Sequence, residues 1–394
     1  MLTLTKPAGS MVLYGAILFL MEFVRGAFLV SFLPTYGVQQ LGLAAAGIGI
    51  AVSLHYVTDT LVKCAAGYLL DRFALRIVAP VGLALSLAGL LLVQQAHTLW
   101  VLAAASALFG AGMSPVWLGG LSRAGTERRA SHMGVMYTCW LAGLGAGPVV
   151  LNFILDRSYL ASYWLMAGLW GAALVLSLFI GGQGSSAVQT PAAIPFGVQL
   201  TLLWERLRSM RVLLPAMILQ TTAAGMLVPV LPSFAQSSLG LAYSQYSLVL
   251  LAAGGLTVAG LIPFGRLSDR YDRRWFVMLG FASFAVCLFA LTRIAGLGPA
   301  VCVAAVLGLS YAAVLPAWNS VLAQYVPPEQ KGMGWGLFSS VEGIGVMIGP
   351  VLGGWIADHF HARAAILSSA ALLGGVAIYY AFVSSGLLKR GTMA

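Results

Sequence analysis

Apolar residues dominate about twelve stretches of roughly twenty positions, each closed by a short polar or glycine-rich break, and that is the length a helix needs to cross a bilayer. The stretches run near residues 10–34, 43–66, 77–96, 100–122, 133–155, 160–181, 212–236, 244–265, 275–293, 299–322, 332–356 and 364–388. This pattern predicts an all-α membrane protein with twelve transmembrane helices. The first stretch carries Glu22 and Arg25 and has no small-residue cleavage site, so it is read as a retained span and not a signal peptide.

Composition strengthens that reading. Of 394 residues 60% are hydrophobic and 8% charged, a balance that no soluble core requires. A net charge of +10 could suggest nucleic acid, but its placement argues otherwise. Sixteen of the basic residues recur at alternate breaks: Lys6; Arg72 and Arg76; Arg123, Arg128 and Arg129; Arg206, Arg208 and Arg211; Arg266, Arg270, Arg273 and Arg274; Lys331; Lys389 and Arg390. Arg157, Arg293 and Arg363 fall on the opposite side, and Arg25 and Lys63 lie inside spans. The positive-inside rule then puts both termini in the cytoplasm of a multi-pass cell-membrane protein, with no nucleic-acid partner. The four cysteines, Cys64, Cys139, Cys287 and Cys302, show no disulfide or metal spacing and are read as small core residues. Neither a metal nor another cofactor is expected.

The chain repeats itself. Gly67, Asp71, Arg72 and Arg76 after the second stretch match Gly265, Asp269, Arg270 and Arg274 after the eighth, 198 residues on. Pro115 and Trp117 match Pro316 and Trp318 at 201, and Gly143 to Pro148 match Gly345 to Pro350 at 202. Three motifs at nearly one offset define two pseudo-symmetric six-helix halves. The expected division is an N-terminal bundle 1–181, a linker 182–211 and a C-terminal bundle 212–394. The linker is Gly/Ser-rich at first and then reads as an interfacial helix with Trp204 among arginines.

The loop Gly265-Arg266-Leu267-Ser268-Asp269-Arg270, with Arg273 and Arg274, and the helix of Gly345, Gly349, Pro350, Gly353 and Gly354 resemble the signature motifs of the major facilitator superfamily. The resemblance covers the whole chain and implies two bundles that rock about a central site. It implies also that the loops holding Gly67, Asp71, Arg72, Arg76, Gly265, Asp269, Arg270, Arg273 and Arg274 act as a cytoplasmic latch. Physically, a carboxylate where a helix meets a short loop can bond exposed amides and pair with arginines. The glycines permit close helix packing. The pattern is incomplete: Ala74 and Leu75 replace a glycine and a basic residue, Leu151 and Asn152 replace two glycines, and the fourth stretch has no charge before Arg123.

The candidate site lies in the first half. Glu22 and Arg25 are spaced i, i+3, and His55, Asp59 and Lys63 follow at i, i+4, i+8 on one helix face. Charge inside a membrane is costly enough to mark a working site, the bland alternative being an ion-pair cluster that glues two helices. Lys63, one turn from Gly67, could equally snorkel to the surface. Arg25 offers a fork of donors to hydroxyls or phosphate, and Trp117 and Trp140 offer faces that stack on a sugar ring or an apolar drug. Asp59 and Glu22 are the expected proton carriers, because burial and the nearby guanidinium pull their proton affinity in opposite directions. In the second half the acidic group well inside a span is Glu342, at the position of Trp140, amid weakly polar Gln220, Thr221, Thr222, Met226 and Asn319. Charge on one wall and hydrocarbon on the other suits an amphiphile.

The stretches around Glu22 and Arg25, from Ser53 to Asp59, from Ser114 to Trp117 and around Trp140 also resemble the lipoteichoic-acid glycolipid flippases, proton-coupled members that move a diglucosyl-diacylglycerol lipid. That resemblance implies a disaccharide headgroup at Glu22, Arg25, Asp59, Trp117 and Trp140. The expected substrate-binding set is therefore Glu22, Arg25, His55, Asp59, Trp117, Trp140 and Glu342, with no catalytic residue. The expected partners are an amphiphilic lipid or lipophilic small molecule, protons and membrane lipids, and the working unit is expected to be a monomer. Efflux of lipophilic drugs is the alternative; a lipid-modifying membrane enzyme is the third reading, although no metal spacing, nucleotide loop or nucleophile constellation supports it.

Overall fold

The computed structural model describes residues 7–117, 129–180, 208, 210–325 and 331–382, with side chains from residue 12 onward except at 64–72, 129–135, 137 and 331–337. Among the described residues every regular element is helical. In hydrocarbon a backbone must satisfy its own polar groups, and an apolar run of this length can do so only as a helix unless it joins a closed barrel.

The chain forms α1 (Pro7–Gly26), a six-residue π-helix (Ala27–Phe32), α2 (Leu33–Gln39), α3 (Ala45–Arg72), α4 (Leu75–Leu92), α5 (Leu99–Ala111), α6 (Arg129–Leu155) and α7 (Tyr159–Ser177). It continues with α8 (Leu214–Leu227), α9 (Leu231–Ser237), α10 (Tyr243–Arg270), α11 (Arg273–Leu291), α12 (Leu297–Ala323), α13 (Lys331–His359) and α14 (Ala362–Phe382). Among the described residues eleven helices are long and apolar enough to span a membrane, and the bent pair α8 and α9 makes a twelfth if it is one span. Most ends fall within a few residues of the hydrophobic pattern.

Three spans depart from it. The first runs on to Gln39 through the π-helix, which carries it past the expected end near residue 34. The seventh is broken, its halves inclined by 45°, because Pro229 and Pro232 interrupt the hydrogen-bond ladder at residues 228–230. The fourth ends as α5 at Ala111 and resumes as a helical turn at 114–117, with Gly112 and Pro115 at the break.

The described structure divides into two compact units, Met1–Thr190 and Pro191–Ala394. The expected interfacial helix with Trp204 lies outside the described residues. Within the first unit α1 packs on α6 and α7, α3 on α5, and α4 on α5 and α7; within the second α8 packs on α13 and α14, α10 on α12, and α11 on α12 and α14. The second set reproduces the first, helix for helix.

A further repeat underlies this symmetry. Leu33-Pro34-Thr35-Tyr36 recurs as Leu231-Pro232-Ser233-Phe234, and Leu41-Gly42-Leu43-Ala44 as Leu239-Gly240-Leu241-Ala242, both 198 residues on. The two segments make the same turn. Leu43 N–H donates to Gly37 O at 2.9 Å and Leu241 N–H to Ala235 O at 3.0 Å. Gly42 and Gly240 lie at φ 61° and 70°, where a side chain would be strained.

Of the cysteines, Cys287 is buried and Cys139 half-buried, as core residues should be, but Cys302 is exposed on α12. Its outward turn corrects the expectation that it fills the core. Cys64 lies outside the described side chains.

Candidate functional site

The first unit builds its polar cluster on three crossings. Helices α1 and α6 touch backbone to backbone because α6 carries Gly143 and Gly147: a Cβ at Gly147 would collide with the Phe23 carbonyl, and one at Gly143 would press on Glu22 and Phe19. This close approach sets Glu22 on α1 beside Trp140 on α6, with Arg25 one turn further along α1. Arg25 Nη1 donates to Glu22 Oε1 at 3.3 Å, and both side chains are largely buried. Among the described residues Glu22 Oε2 and Arg25 Nε find no hydrogen-bond partner, and both are sealed from solvent. The guanidinium lies 6.0 Å from the ring centroid of Tyr56 on α3.

Asp59, one turn along α3 from His55, has a partner on each oxygen. Lys63 Nζ donates to Oδ2 at 2.7 Å, and Ser114 Oγ, from the helical turn 114–117, donates to Oδ1 at 2.8 Å. Lys63 is 45% exposed and still closes this bond, so it joins the cluster instead of leaving it for the surface. The same turn presents Trp117, whose ring lies 6.5 Å from that of Trp140 at 47°.

His55 is turned elsewhere. It is fully buried, its Nδ1 bonds Ser106 O at 3.3 Å, and its ring lies against Phe109 at 5.4 Å. Together with the Thr58 hydroxyl, which donates to Ala107 O at 2.7 Å, it fastens α3 to α5. The i, i+4 spacing that put it on the face of Asp59 did not reveal that α5 covers that turn of the helix.

In the second unit Gly345 and Gly349 bring α13 onto α8 as Gly143 and Gly147 bring α6 onto α1. Glu342 stands at this crossing. Gln220 Nε2 on α8 and Trp318 Nε1 on α12 each donate to Glu342 Oε1 at 3.2 Å, and the Thr221 hydroxyl donates to the Glu342 backbone carbonyl at 2.8 Å. Trp318 is 3% exposed, edge-on to Phe281 and Tyr380, and is therefore a core residue unlike its repeat partner Trp117. Thr222 and Met226, read from sequence as possible lining, are buried in packing, while Asn319 is exposed.

Of the latch residues, Gly67 lies within α3 and the side chains of Asp71 and Arg72 lie outside those described; Arg76 is exposed. In the second copy Asp269, 72% exposed, pairs with Arg273 at 4.0 Å. Arg274 turns back into its own unit: Nε donates to Tyr380 O at 2.9 Å and Nη2 bonds Ala381 O, capping the end of α14. Gly265 faces Pro316 across α10 and α12.

Sequence reasoning missed Tyr56 and the role of Ser114. Ser114 heads the Ser-Pro-Val-Trp stretch, and a polar residue just before a proline inside a span was the available signal. Tyr56 gave none beyond its place between His55 and Asp59.

Residues 15–224 and 213–391 match the Major Facilitator Superfamily. Over 349 residues the chain is 30% identical to the proton-coupled antiporter flippase LtaA of Staphylococcus saprophyticus subsp. saprophyticus, covering 87% of this chain and 86% of that protein. It is 29% identical over 347 residues to the LtaA of Staphylococcus aureus, covering 86% of each. Two structures of the nucleoside transporter NupG, one of a point variant, superpose with TM-scores of 0.78 and 0.74, each over 98% of this chain and 100% of the other. Their sequence identities are 13% and 14%, so the likeness is one of fold.

Proposed function

Because the chain belongs to the Major Facilitator Superfamily, we propose that it is a proton-coupled secondary transporter that flips a glycolipid or related amphiphilic lipid across the cell membrane by alternating access. Membership makes it a multi-pass membrane transporter and not an enzyme. The relatives named above as proton-coupled flippases support the finer reading.

The observation that carries it is the polar cluster of the first unit. Two carboxylate–cation pairs, Glu22 with Arg25 and Asp59 with Lys63, share it with the Trp117 and Trp140 rings. The headgroup is read by this cluster: Arg25 and the two carboxylates exchange hydrogen bonds with sugar hydroxyls, and a tryptophan face stacks on the ring. In the second unit Glu342 offers a further polar contact amid largely apolar helices. Asp59 and Glu22 carry the proton, since each would give up its cation partner on protonation and so loosen the cluster. His55 positions α3. The Asp–Arg loops act as the latch, and both termini are cytoplasmic by the loop charges.

Proteoliposomes containing diglucosyl-diacylglycerol test the reading. Asp59→Asn and Glu22→Gln are expected to abolish proton-driven flipping of that lipid. Intact glycolipid flipping with lost export of a lipophilic dye would make the protein a drug exporter, and release of a chemically altered lipid would make it an enzyme.

A further inference from the structure

We propose that Glu342 is a proton-binding site of the second unit, separate from the carboxyl–cation cluster of the first. Its role in the transport cycle rests on the proton-coupled reading above, but proton binding itself does not.

The argument begins with what surrounds the carboxyl. Glu342 lies eleven residues into α13, about 16 Å along the helix from Lys331 and about 24 Å from Asp358 at 1.5 Å per residue. Helix α8, packed against it, contributes Gln220 and Thr221 and has no charged residue in Leu214–Leu227. Helix α12 contributes Trp318 and the Tyr311 phenol, and none of its residues is charged either. Helix α14 has Arg363 in its first turn, next to the Asp358 end of α13, and Tyr379 and Tyr380 in its last. Among the described residues of the second unit no cation pairs with Glu342.

Both of its hydrogen bonds, from the Gln220 amide and the Trp318 indole, converge on Oε1. Oε1 can keep both donors whether the group is a carboxylate or an acid, and Oε2, with no described partner, is the oxygen left open to take a proton. The indole cannot turn away, because Trp318 is locked between Phe281 and Tyr380.

Glu22 and Asp59 are held differently. Each has a cation within a helical turn, which favours the ionised form for as long as that pair stays closed. Among the described residues of its own unit Glu342 is met only by dipoles. An ion supported by dipoles alone is tolerable while water reaches it and costly once water is excluded. Alternating access changes that exposure, and so can load and unload this carboxyl.

The test is infrared difference spectroscopy of the full chain in lipid vesicles, between acidic and alkaline buffer, with the proton as the only probe. A carboxylic-acid C=O band that appears on acidification is expected to be lost in Glu342→Gln and retained in Asp59→Asn and Glu22→Gln. Glu342→Asp is expected to restore a band, which answers the objection that Glu342→Gln simply misfolds. Trp318→Phe keeps the packing but removes one N–H bond to the carbonyl, and is expected to move the band to higher wavenumber. Persistence of the band in a folded Glu342→Gln variant, or its absence from the unmodified protein, overturns the proposal. If the band behaves as expected while diglucosyl-diacylglycerol is not flipped, the substrate reading fails and the proton site stands.

Discussion

The two units place their first and fifth spans in the same crossing and dress it with opposite chemistry. In the first, the acid is on α1 and the aromatic ring on α6: Glu22 beside Trp140. In the second the acid is on α13, at the position of Trp140, and an amide and a hydroxyl stand on α8: Glu342 with Gln220 and Thr221. The shared part is glycine against backbone, which sets how near the helices come. The divergent part is the side chains beside the contact, which the packing leaves free to change. A duplicated scaffold can thus keep its architecture while one half becomes ionic and the other nearly neutral.

The tryptophans give the largest test of that contrast. Trp318→Ala is expected to cost about 4 kcal/mol of stability, as a large side chain removed from a core does, and to lower the unfolding temperature in detergent strongly. Trp117→Ala, on a half-buried ring, is expected to cost about 1 kcal/mol and to slow transport about 2- to 10-fold through lost stacking. Equal losses of stability would mean that the repeat partners share one role.

Arg25→Ala leaves Glu22 buried without its cation and is expected to cost about 3 kcal/mol. Adding Glu22→Gln should recover most of that stability but not transport. Glu342→Gln, in contrast, keeps an oxygen for Trp318 and Gln220 and is expected to cost under about 1 kcal/mol. A large loss there, measured by the same thermal unfolding, would mean that the second crossing is as ionic as the first.

The smallest effect separates neighbours within one loop. Arg274→Ala removes two bonds to the last carbonyls of α14 and is expected to cost about 1.5 kcal/mol. Arg273→Ala removes a 4.0 Å pair with the exposed Asp269 and should cost less than about 0.5 kcal/mol, so a transport defect at unchanged stability would support the proposed latch.

Much of this was legible in the chain. Runs of about twenty apolar residues could only become spanning helices, and three motifs at offsets near 200 separated the halves. The spacing of Glu22, Arg25, Asp59 and Lys63 was enough to mark a candidate site, because ions within a helical turn of each other inside a span must either pair or work. The Leu-Pro and Leu-Gly-Leu-Ala repeats, also visible in the chain, show that the symmetry reaches into the turns. Periodicity could not show which neighbour covers each turn of a helix.

The tertiary structure decided that question. It turned His55 to α5, brought Ser114 onto Asp59 across 55 residues and locked Trp318 into the core while Trp117 stayed at the cluster. It also left Glu342 with two N–H donors and, among the described residues of its unit, no cation. Span, charge and repeat are properties of a single chain segment, and sequence alone determines them. The partner of a side chain is a property of a crossing between segments far apart in the chain, and only packing selects it.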